Sequence, residues 1–412
     1  MKTVLFVQHA SAFGGSAMSL IYTLRGIKKD YGKDFKLLVA LAKWTQELAD
    51  FYNKEGFEVV KNDWIDTYEH TQLVSYSMLS PSGIYNELLQ QKKINSAKKN
   101  TIALLKKVKP DIVHLNSVVL VGSALAVKET KTPLVWHVRE PSVKGLFGIR
   151  RNKIIKLLKT LPNKSIFICK ADKKSWGNPD TGEVVYNFVD FSIFNKNKER
   201  PDKIEDIHIP KSDLNILFLG GVAKVKGGLY LIKAFNRILK KYPNKNINFL
   251  FPGGLYTKPT YLLYKIATKL LPLLGLGTNA QKIEIEINKS NKKENFYKFK
   301  FVKNISDLFL VADVLVFPSI RPHFARPVIE AGAMNIPAIG SELGGVEELI
   351  IDTENGFLVK HKNTNSLEEK LSFFIENPSK IQEMGIKGYE IATKKYNVIT
   401  NVKQIVNIYN KL

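Results

Sequence analysis

The sequence predicts an α/β fold made of two halves, each a parallel sheet covered by helices. Three observations carry that expectation. The chain has 412 residues, past the size at which a single hydrophobic core keeps growing, so two domains are expected. Short apolar runs alternate with amphipathic stretches, the pattern of strands buried on both faces and joined by helical crossovers. The alternation breaks once, over residues 191–213, in a polar run with charges and prolines, and then begins again.

In the first half the strand-like runs are Thr3–Gln8, Lys36–Leu41, Ile112–Asn116, Leu134–Val138, Ser165–Cys169 and Glu183–Tyr186. Helical spacing separates most of them, as in Ile102, Leu105 and Val108 within a lysine-rich frame. This half is assigned residues 1–190, and residues 191–213 read as a linker. The second half, residues 214–396, opens with the strand-like Asn215–Leu219. A helix with Leu231, Phe235, Ile238 and Leu239 on one face follows, then Ile247–Phe251, Val314–Phe317, Ala338–Gly340 and Gly356–Val359. Residues 255–300 read as an insertion containing an apolar helix from Tyr261. Residues 397–412 read as a final amphipathic helix.

Composition bounds the function. Hydrophobic content of 44% and charged content of 24% are those of an ordinary globular protein. The single cysteine, Cys169, leaves no internal disulfide and no cysteine-rich metal site, which fits a reducing compartment. The apolar run at the N-terminus is too short for a signal peptide. No stretch reaches the roughly 20 apolar residues of a membrane-spanning helix, so a cytoplasmic location is expected. The net charge is +24. Such a field attracts polyanions, whether phosphorylated substrates, anionic lipid or nucleic acid, and it equally keeps a protein soluble. No nucleic-acid-binding motif or interleaving of aromatic and basic residues accompanies it, so no specific nucleic-acid partner is expected.

Three loops between a strand and a helix carry candidate chemistry. After the first strand come Gly14 and Gly15, followed by Ser16 and a helix-like segment. Paired glycines there let backbone amides approach an anion at a helix N-terminus; a tight turn without a ligand has the same sequence. The spacing is not G-x-G-x-x-G, so no dinucleotide fingerprint is present. In the second half, Gly220-Gly221-Val-Ala-Lys224-Val-Lys226-Gly227-Gly228 occupies the equivalent place. A lysine there can reach a phosphate as a mobile point charge, though a lysine in water reads the same, and no Walker A triplet occurs. The third loop runs Pro318-Ser-Ile-Arg321-Pro322-His323-Phe324-Ala325-Arg326-Pro327-Val-Ile-Glu330-Ala. Pro327 suits the first helical position, so loop amides and helix dipole converge on a spot fit for pyrophosphate. Glu330, one turn in among apolar residues, needs a donor. Ribose hydroxyls and the protein's own backbone both qualify.

Taken together, these segments resemble retaining glycosyltransferases of the GT-B fold, specifically glycosyltransferase family 4. That family carries a pattern close to P-S-x-x-E-x-F-G-x-x-x-x-E-A followed by a G-G-x-x-E turn. Here Pro318-Ser319, Phe324, Glu330-Ala331 and Gly344-Gly345-Val346-Glu347-Glu348 stand at the matching spacing. Lys226-Gly227, Val185-Tyr186-Asn187-Phe188-Val189-Asp190, Trp136-His137-Val138-Arg139-Glu140 and the Gly14-Gly15 loop extend the resemblance over the whole chain. It implies two Rossmann-like domains facing a cleft, with the C-terminal helix packed back on the N-terminal, acceptor-binding domain. It implies that Glu330 binds the donor's ribose, Lys226 neutralises its pyrophosphate, His137 faces the donor sugar, and Gly14 and Gly15 close on the phosphates. The same implication gathers Gly221, His323, Phe324, Ala325, Arg326, Gly344 and Gly345 around the donor. His137 and Lys226 are thereby the expected catalytic pair.

Two positions depart from the family pattern. Its first glutamate falls at Pro322, and the arginine that accompanies the lysine falls at Gly221. Arg321, His323, Arg326 and Lys224 are near enough to replace charge, Arg326 first because it starts the helix. No D-x-D occurs, so the expected chemistry uses a nucleoside-diphosphate sugar with no metal or other cofactor, and helix N-termini and Lys226 stabilise the leaving group. The acceptor is expected to be a glycan or lipid-linked molecule. Two basic amphipathic stretches, Lys92 to Lys109 and Arg150 to Lys159, suit contact with the inner face of an anionic membrane or simply a solvated helix face. A catalytically degenerate relative, or a sugar epimerase or phosphorylase of the same fold, remains open at this stage.

Overall fold

The structure is a computed structural model that describes residues 1–12, 14–70, 81–145, 147–253, 278–300 and 302–412. The chain divides into two compact units, Met1–Phe188 with Tyr396–Leu412, and Val189–Lys395.

The first unit contains β1 (Lys2–Gln8), α1 (Gly15–Tyr31), β2 (Phe35–Leu41), α2 (Gln46–Lys54), β3 (Glu58–Val60), α3 (Pro81–Val108), β4 (Ile112–Leu115) and α4 (Val121–Glu129). It continues with β5 (Leu134–Val138), α5 (Ile149–Thr160), β6 (Lys164–Phe167), α6 (Lys170–Ser175) and β7 (Gly182–Val184). Its seven strands are all parallel, in the order β3-β2-β1-β4-β5-β6-β7. Because β1, β4 and β5 are buried along nearly their whole length, they read as unbroken apolar runs and were legible as strands. The short edge strand β3 was not: Glu-Val-Val, with Glu58 exposed, is too brief a signal.

The second unit begins with a two-stranded antiparallel pair, β8 (Lys203–Ile204) and β9 (Ile207–His208). There follow β10 (Leu214–Leu217), α7 (Gly228–Lys241), β11 (Ile247–Pro252), α8 (Asn279–Asn288), β12 (Phe296–Phe299), α9 (Ile305–Val311), β13 (Val314–Phe317), α10 (Arg326–Ala333), β14 (Ala338–Ser341), β15 (Gly356–Val359), α11 (Thr364–Glu376) and α12 (Ser379–Lys395). Its sheet is also wholly parallel, in the order β12-β11-β10-β13-β14-β15. On α7 the four expected apolar residues are buried, each stabilising the fold by about 1.5–3 kcal/mol. Three differences from the sequence expectation stand out. The stretch 191–213 belongs to the second unit, where Phe194, Ile204 and Ile209 are buried rather than forming a free tether. Residues 278–300 are not mere insertion, since α8 packs on the core and β12 is the sheet's edge strand. The apolar helix read from Tyr261 lies outside the described residues.

The last helix, α13 (Val398–Asn410), belongs to the first unit and packs on α1. A Cβ at Gly26 of α1 would come within 2.6 Å of Val402, so glycine is what lets the two helices approach this closely. The apolar face Val402, Ile405, Val406 and Tyr409 is buried. Among the described residues, no helix is long and apolar enough to cross a membrane.

Both sheets reverse strand order at one place, between β1 and β4 and between β10 and β13. In open parallel sheets, ligands bind beyond the carboxyl ends of the strands at such a reversal. All three sequence-selected loops leave one of these four strands.

Candidate functional site

In the second unit, the chain leaves β10 through the buried Phe218, whose ring stacks on Phe251 with centroids 5.7 Å apart. Gly221 follows with φ of +52°. A 3-10 turn at Lys224–Lys226 ends at Gly227, whose φ is +76°. A Cβ on Gly227 would lie 1.7 Å from the Pro318 carbonyl oxygen, so only glycine lets this loop sit against the loop after β13. The two loops are then bonded together. Ile320 N–H donates to Val225 O at 3.0 Å, and Ser319 Oγ lies 3.1 Å from the same oxygen.

This contact carries Lys226 to the strand reversal. Lys226 Nζ donates to His323 Nε2 at 2.8 Å and stands 5.0 Å from the centre of the Phe317 ring. Burial, with the nearby Arg326 charge, lowers the Lys226 ammonium to about 8. Burial and the lysine charge lower His323 to about 3, so its imidazole is neutral and accepts from the lysine. His323 thus serves Lys226; it is not a second cation.

The loop then enters α10 with a proline in its first turn. Arg326 Nε and Glu330 Oε1 form an ion pair at 2.7 Å across one helical turn. Glu330 is 3% exposed. Burial raises its pKa, and Arg326 opposes that rise. In this structure the arginine expected to meet phosphate therefore meets the glutamate expected to meet ribose. Phe324 and Ala325 are buried in the fold, which leaves their backbone, not their side chains, to meet a ligand. Gly345, in the turn after β14, is required by packing: a Cβ there would lie 2.9 Å from the Phe324 backbone. Gly344 has φ of +47°. The Gly-Gly pair therefore holds the third loop in place from behind.

In the first unit, Gly14 is the N-cap of α1 and Gly15 its first residue. Gly14 has an extended backbone, and a Cβ on either glycine would meet nothing within 4 Å. The chain's own packing does not require glycine at these two positions. Beside them is a polar network at the ends of β1, β4 and β5. Asn116 Nδ2 donates to Gln8 Oε1 at 3.2 Å, and Ser16 Oγ donates to the same oxygen at 3.2 Å. Arg139 Nε donates to Asn116 Oδ1 at 2.6 Å, and its NH1 to Asn187 Oδ1 at 2.9 Å. Glu140 accepts from Ser117 Oγ at 2.5 Å and from the Val118 N–H at 3.2 Å.

His137 is the penultimate residue of β5 and is 3% exposed. Its Nδ1 lies 3.1 Å from His114 Nε2, and His114 Nδ1 lies 2.6 Å from Tyr409 Oη on α13. Burial, reinforced by Arg139, holds both imidazoles well below their ordinary range, so both are neutral. His137 Nε2 is buried with no hydrogen-bond partner among the described residues. Reading the sequence alone selected His137 and missed His114, Tyr409, Gln8 and Asn116. The last two were visible only as polar ends of apolar runs, and Tyr409 as one more residue on an amphipathic helix.

Comparison with known proteins follows the same division. Residues 199–391 match the family described as Glycosyl transferases group 1. The N-acetyl-alpha-D-glucosaminyl L-malate synthase of Bacillus anthracis is 21% identical over 273 residues, 66% of this chain and 63% of its own. The trehalose synthase of Pyrococcus horikoshii is 34% identical over 101 residues, 24% of each chain. The chain thus spans less than two thirds of the length of these curated relatives. Among solved structures, Anabaena Alr3699/HepE in complex with UDP superposes with a TM-score of 0.72 at 17% identity, over 100% of both chains. A glycosyltransferase from Rickettsia africae gives 0.69 at 19% identity, over 100% of this chain and 98% of its own. With two doubly wound parallel sheets and full-length superposition on these solved structures, the chain has the GT-B fold, and its residues 199–391 match the family of glycosyl transferases group 1.

Proposed function

We propose that the protein transfers a hexose-type sugar from a nucleoside-diphosphate sugar to a glycan or lipid-linked acceptor, with retention and without a metal, in the synthesis of cell-envelope polysaccharide or glycoconjugate. The observation that carries this reading is the pair of bonded loops after β10 and β13. They bring Lys226 to the strand reversal, close enough to Arg326 for the second charge to lower the first. Cations held this near each other and partly out of water repel, and a pyrophosphate between them would relieve the repulsion.

Breaking the bond from the sugar's anomeric carbon to the β-phosphate oxygen leaves negative charge on that phosphate. Lys226 and the N-terminus of α10 would stabilise it without reorganising. His137 would serve the sugar, offering a neutral hydrogen bond rather than a charge. Glu330 would take the ribose, exchanging part of its pairing with Arg326 for hydroxyl groups. Gly14 and Gly15 leave open space into which phosphate oxygens would fit. The relatives are named trehalose synthase and N-acetyl-alpha-D-glucosaminyl L-malate synthase, and the Anabaena neighbour was solved with UDP; these agree with this substrate class.

For the acceptor side we propose peripheral contact with an anionic membrane. On α3, Ile84, Tyr85 and Leu88 are exposed, as are Phe147 and Ile149 at the start of α5. Arg150 joins the two helices by donating to Glu87 at 2.7 Å, so these exposed apolar side chains lie on neighbouring helices that both carry lysines in their sequence. Exposed apolar side chains on helices rich in basic residues suit a lipid interface.

A second reading keeps the donor site and drops the reaction. Pro322 and Gly221 replace an acid and a base of the family pattern, which suits a nucleotide-sugar-binding protein that does not turn over. One experiment separates the two: thermal shift with a panel of nucleoside diphosphates, then turnover with the matching sugars in EDTA. Stabilisation with turnover supports transfer. Stabilisation without turnover selects the second reading. Turnover only with added Mg²⁺ or Mn²⁺ would overturn the metal-free chemistry.

A further inference from the structure

We propose that Tyr409, on the C-terminal helix, is a positioning residue that fixes the tautomer of His137 so that its Nε2 carries the proton. The inference rests on the part given to His137 above.

Direction along the chain Tyr409–His114–His137 follows from counting donors. A phenol hydroxyl has one proton, and its proton needs an acceptor when buried. The only hydrogen-bond partner of Tyr409 Oη among the described residues is His114 Nδ1, at 2.6 Å. If His114 donated at that contact, the buried phenol proton would be left without an acceptor. Tyr409 therefore donates, and His114 Nδ1 is the bare nitrogen. A neutral imidazole carries its proton on the other nitrogen, so His114 Nε2–H donates to His137 Nδ1 at 3.1 Å. His137 in turn has its proton on Nε2, the atom without a hydrogen-bond partner among the described residues.

The surroundings hold this order. The Tyr409 ring packs edge-on against Phe6 and Phe35, with centroids 6.5 and 5.7 Å away, and Phe6 stacks on His114 at 4.7 Å. Neither ring can turn without disturbing the core. Arg139 places positive charge near both imidazoles and opposes a second proton on either. A buried N–H without a hydrogen-bond acceptor is costly, and a ligand oxygen would complete this one. The geometry therefore presents one neutral, oriented donor for an oxygen of the substrate, and the last helix of the chain determines that it is a donor rather than an acceptor.

The test is nitrogen-15 NMR of the protein labelled at histidine, with seven histidines in the chain and the His137 signals assigned by His137→Asn. In the unaltered protein, His137 Nε2 should show the shift of a protonated ring nitrogen and Nδ1 that of a bare one. The opposite pattern, or an imidazolium at neutral pH, overturns the proposal with no variant needed. Tyr409→Phe keeps the ring and removes the hydroxyl. It should release the order, so that His137 Nε2 becomes wholly or partly bare. An unchanged His137 pattern in that variant overturns the role of Tyr409. The same variant should lose roughly tenfold in turnover, as expected when one oriented hydrogen bond of about 1.4 kcal/mol is lost from the reacting complex, with little change in KM for the donor. A tautomer that shifts while turnover is untouched supports the chain and overturns the part given to His137.

Discussion

The two units meet the same topological problem with opposite chemistry. At the β10/β13 reversal, the second unit places Lys226 near Arg326 and spends its histidine, His323, as an acceptor for that lysine. At the β1/β4 reversal and the neighbouring strand β5, the first unit keeps His137 and His114 neutral and leaves His137 Nε2 without a partner among the described residues. Their glycines differ likewise. Gly227 and Gly345 are demanded by the chain's own backbone, whereas Gly14 and Gly15 have empty space where a side chain would go. The lesson is that a strand-end loop suited to an anion and one suited to a neutral oxygen differ less in fold than in how many cations stand close together. A glycine in such a loop has to be asked which neighbour requires it.

The sharpest way to break the comparison is to remove each site's central side chain. His137→Ala should lower turnover by about 100-fold or more, the scale of losing one oriented donor to the reacting centre. Nucleoside diphosphate affinity should stay within about twofold, because the histidine's proposed partner is the sugar. Loss of nucleotide affinity in the same proportion would merge the two sites and end the contrast. Lys226→Met should do the reverse, lowering nucleoside diphosphate affinity roughly 10- to 100-fold as a charge-assisted bond is lost. Calorimetry on both variants measures the difference directly.

The glycines sharpen it further. Gly227→Ala adds a side chain at a left-handed backbone and against the Pro318 carbonyl, so thermal unfolding should show a loss of about 1–3 kcal/mol. Gly15→Ala adds one within the first turn of α1, into open space. Its stability should hold or rise by up to about 1 kcal/mol from helix propensity, while donor affinity falls. A Gly15→Ala variant with unchanged affinity would mean the open space serves no ligand.

A smaller effect is expected from pH. Lys226 titrates at about 8 in the free protein, and a bound pyrophosphate would raise that value by favouring the charged form. Below about 8 the lysine is already charged and affinity is independent of its proton. Above it, binding must first restore the proton, so affinity should fall by up to about tenfold per pH unit. Lys226→Met should remove this dependence.

Much of the fold was legible because buried parallel strands are nearly all apolar, as in Leu134–Val138 and Val314–Phe317. The edge strands β3 and β12 escaped notice because half-exposed strands of three or four residues lack that pattern. Of the candidate site, the second unit was the more readable. Its glycines with Lys226, and Pro318 through Glu330, form two loops whose residue patterns are each readable locally, although the contact between them joins residues 97 positions apart. The first unit's site was not local. His114 and Tyr409 are 295 residues apart and meet only because α13 belongs to the N-terminal unit, and no pattern around Tyr409 marks it as different from Ile405. The pairing of Arg326 with Glu330 was also missed, although spacing i, i+4 on a helix should have suggested it.

The central claim is that the second unit's crowded cations are a site for a nucleoside diphosphate. The most direct measurement is titration calorimetry of the intact chain with nucleoside diphosphates, UDP among them, at a pH of about 8.5 in two buffers of different ionisation heat, which counts protons exchanged on binding. The account predicts binding with net proton uptake, and loss of that uptake together with most of the affinity in Lys226→Met. Binding without proton uptake, or uptake that persists when Lys226 is gone, would contradict it.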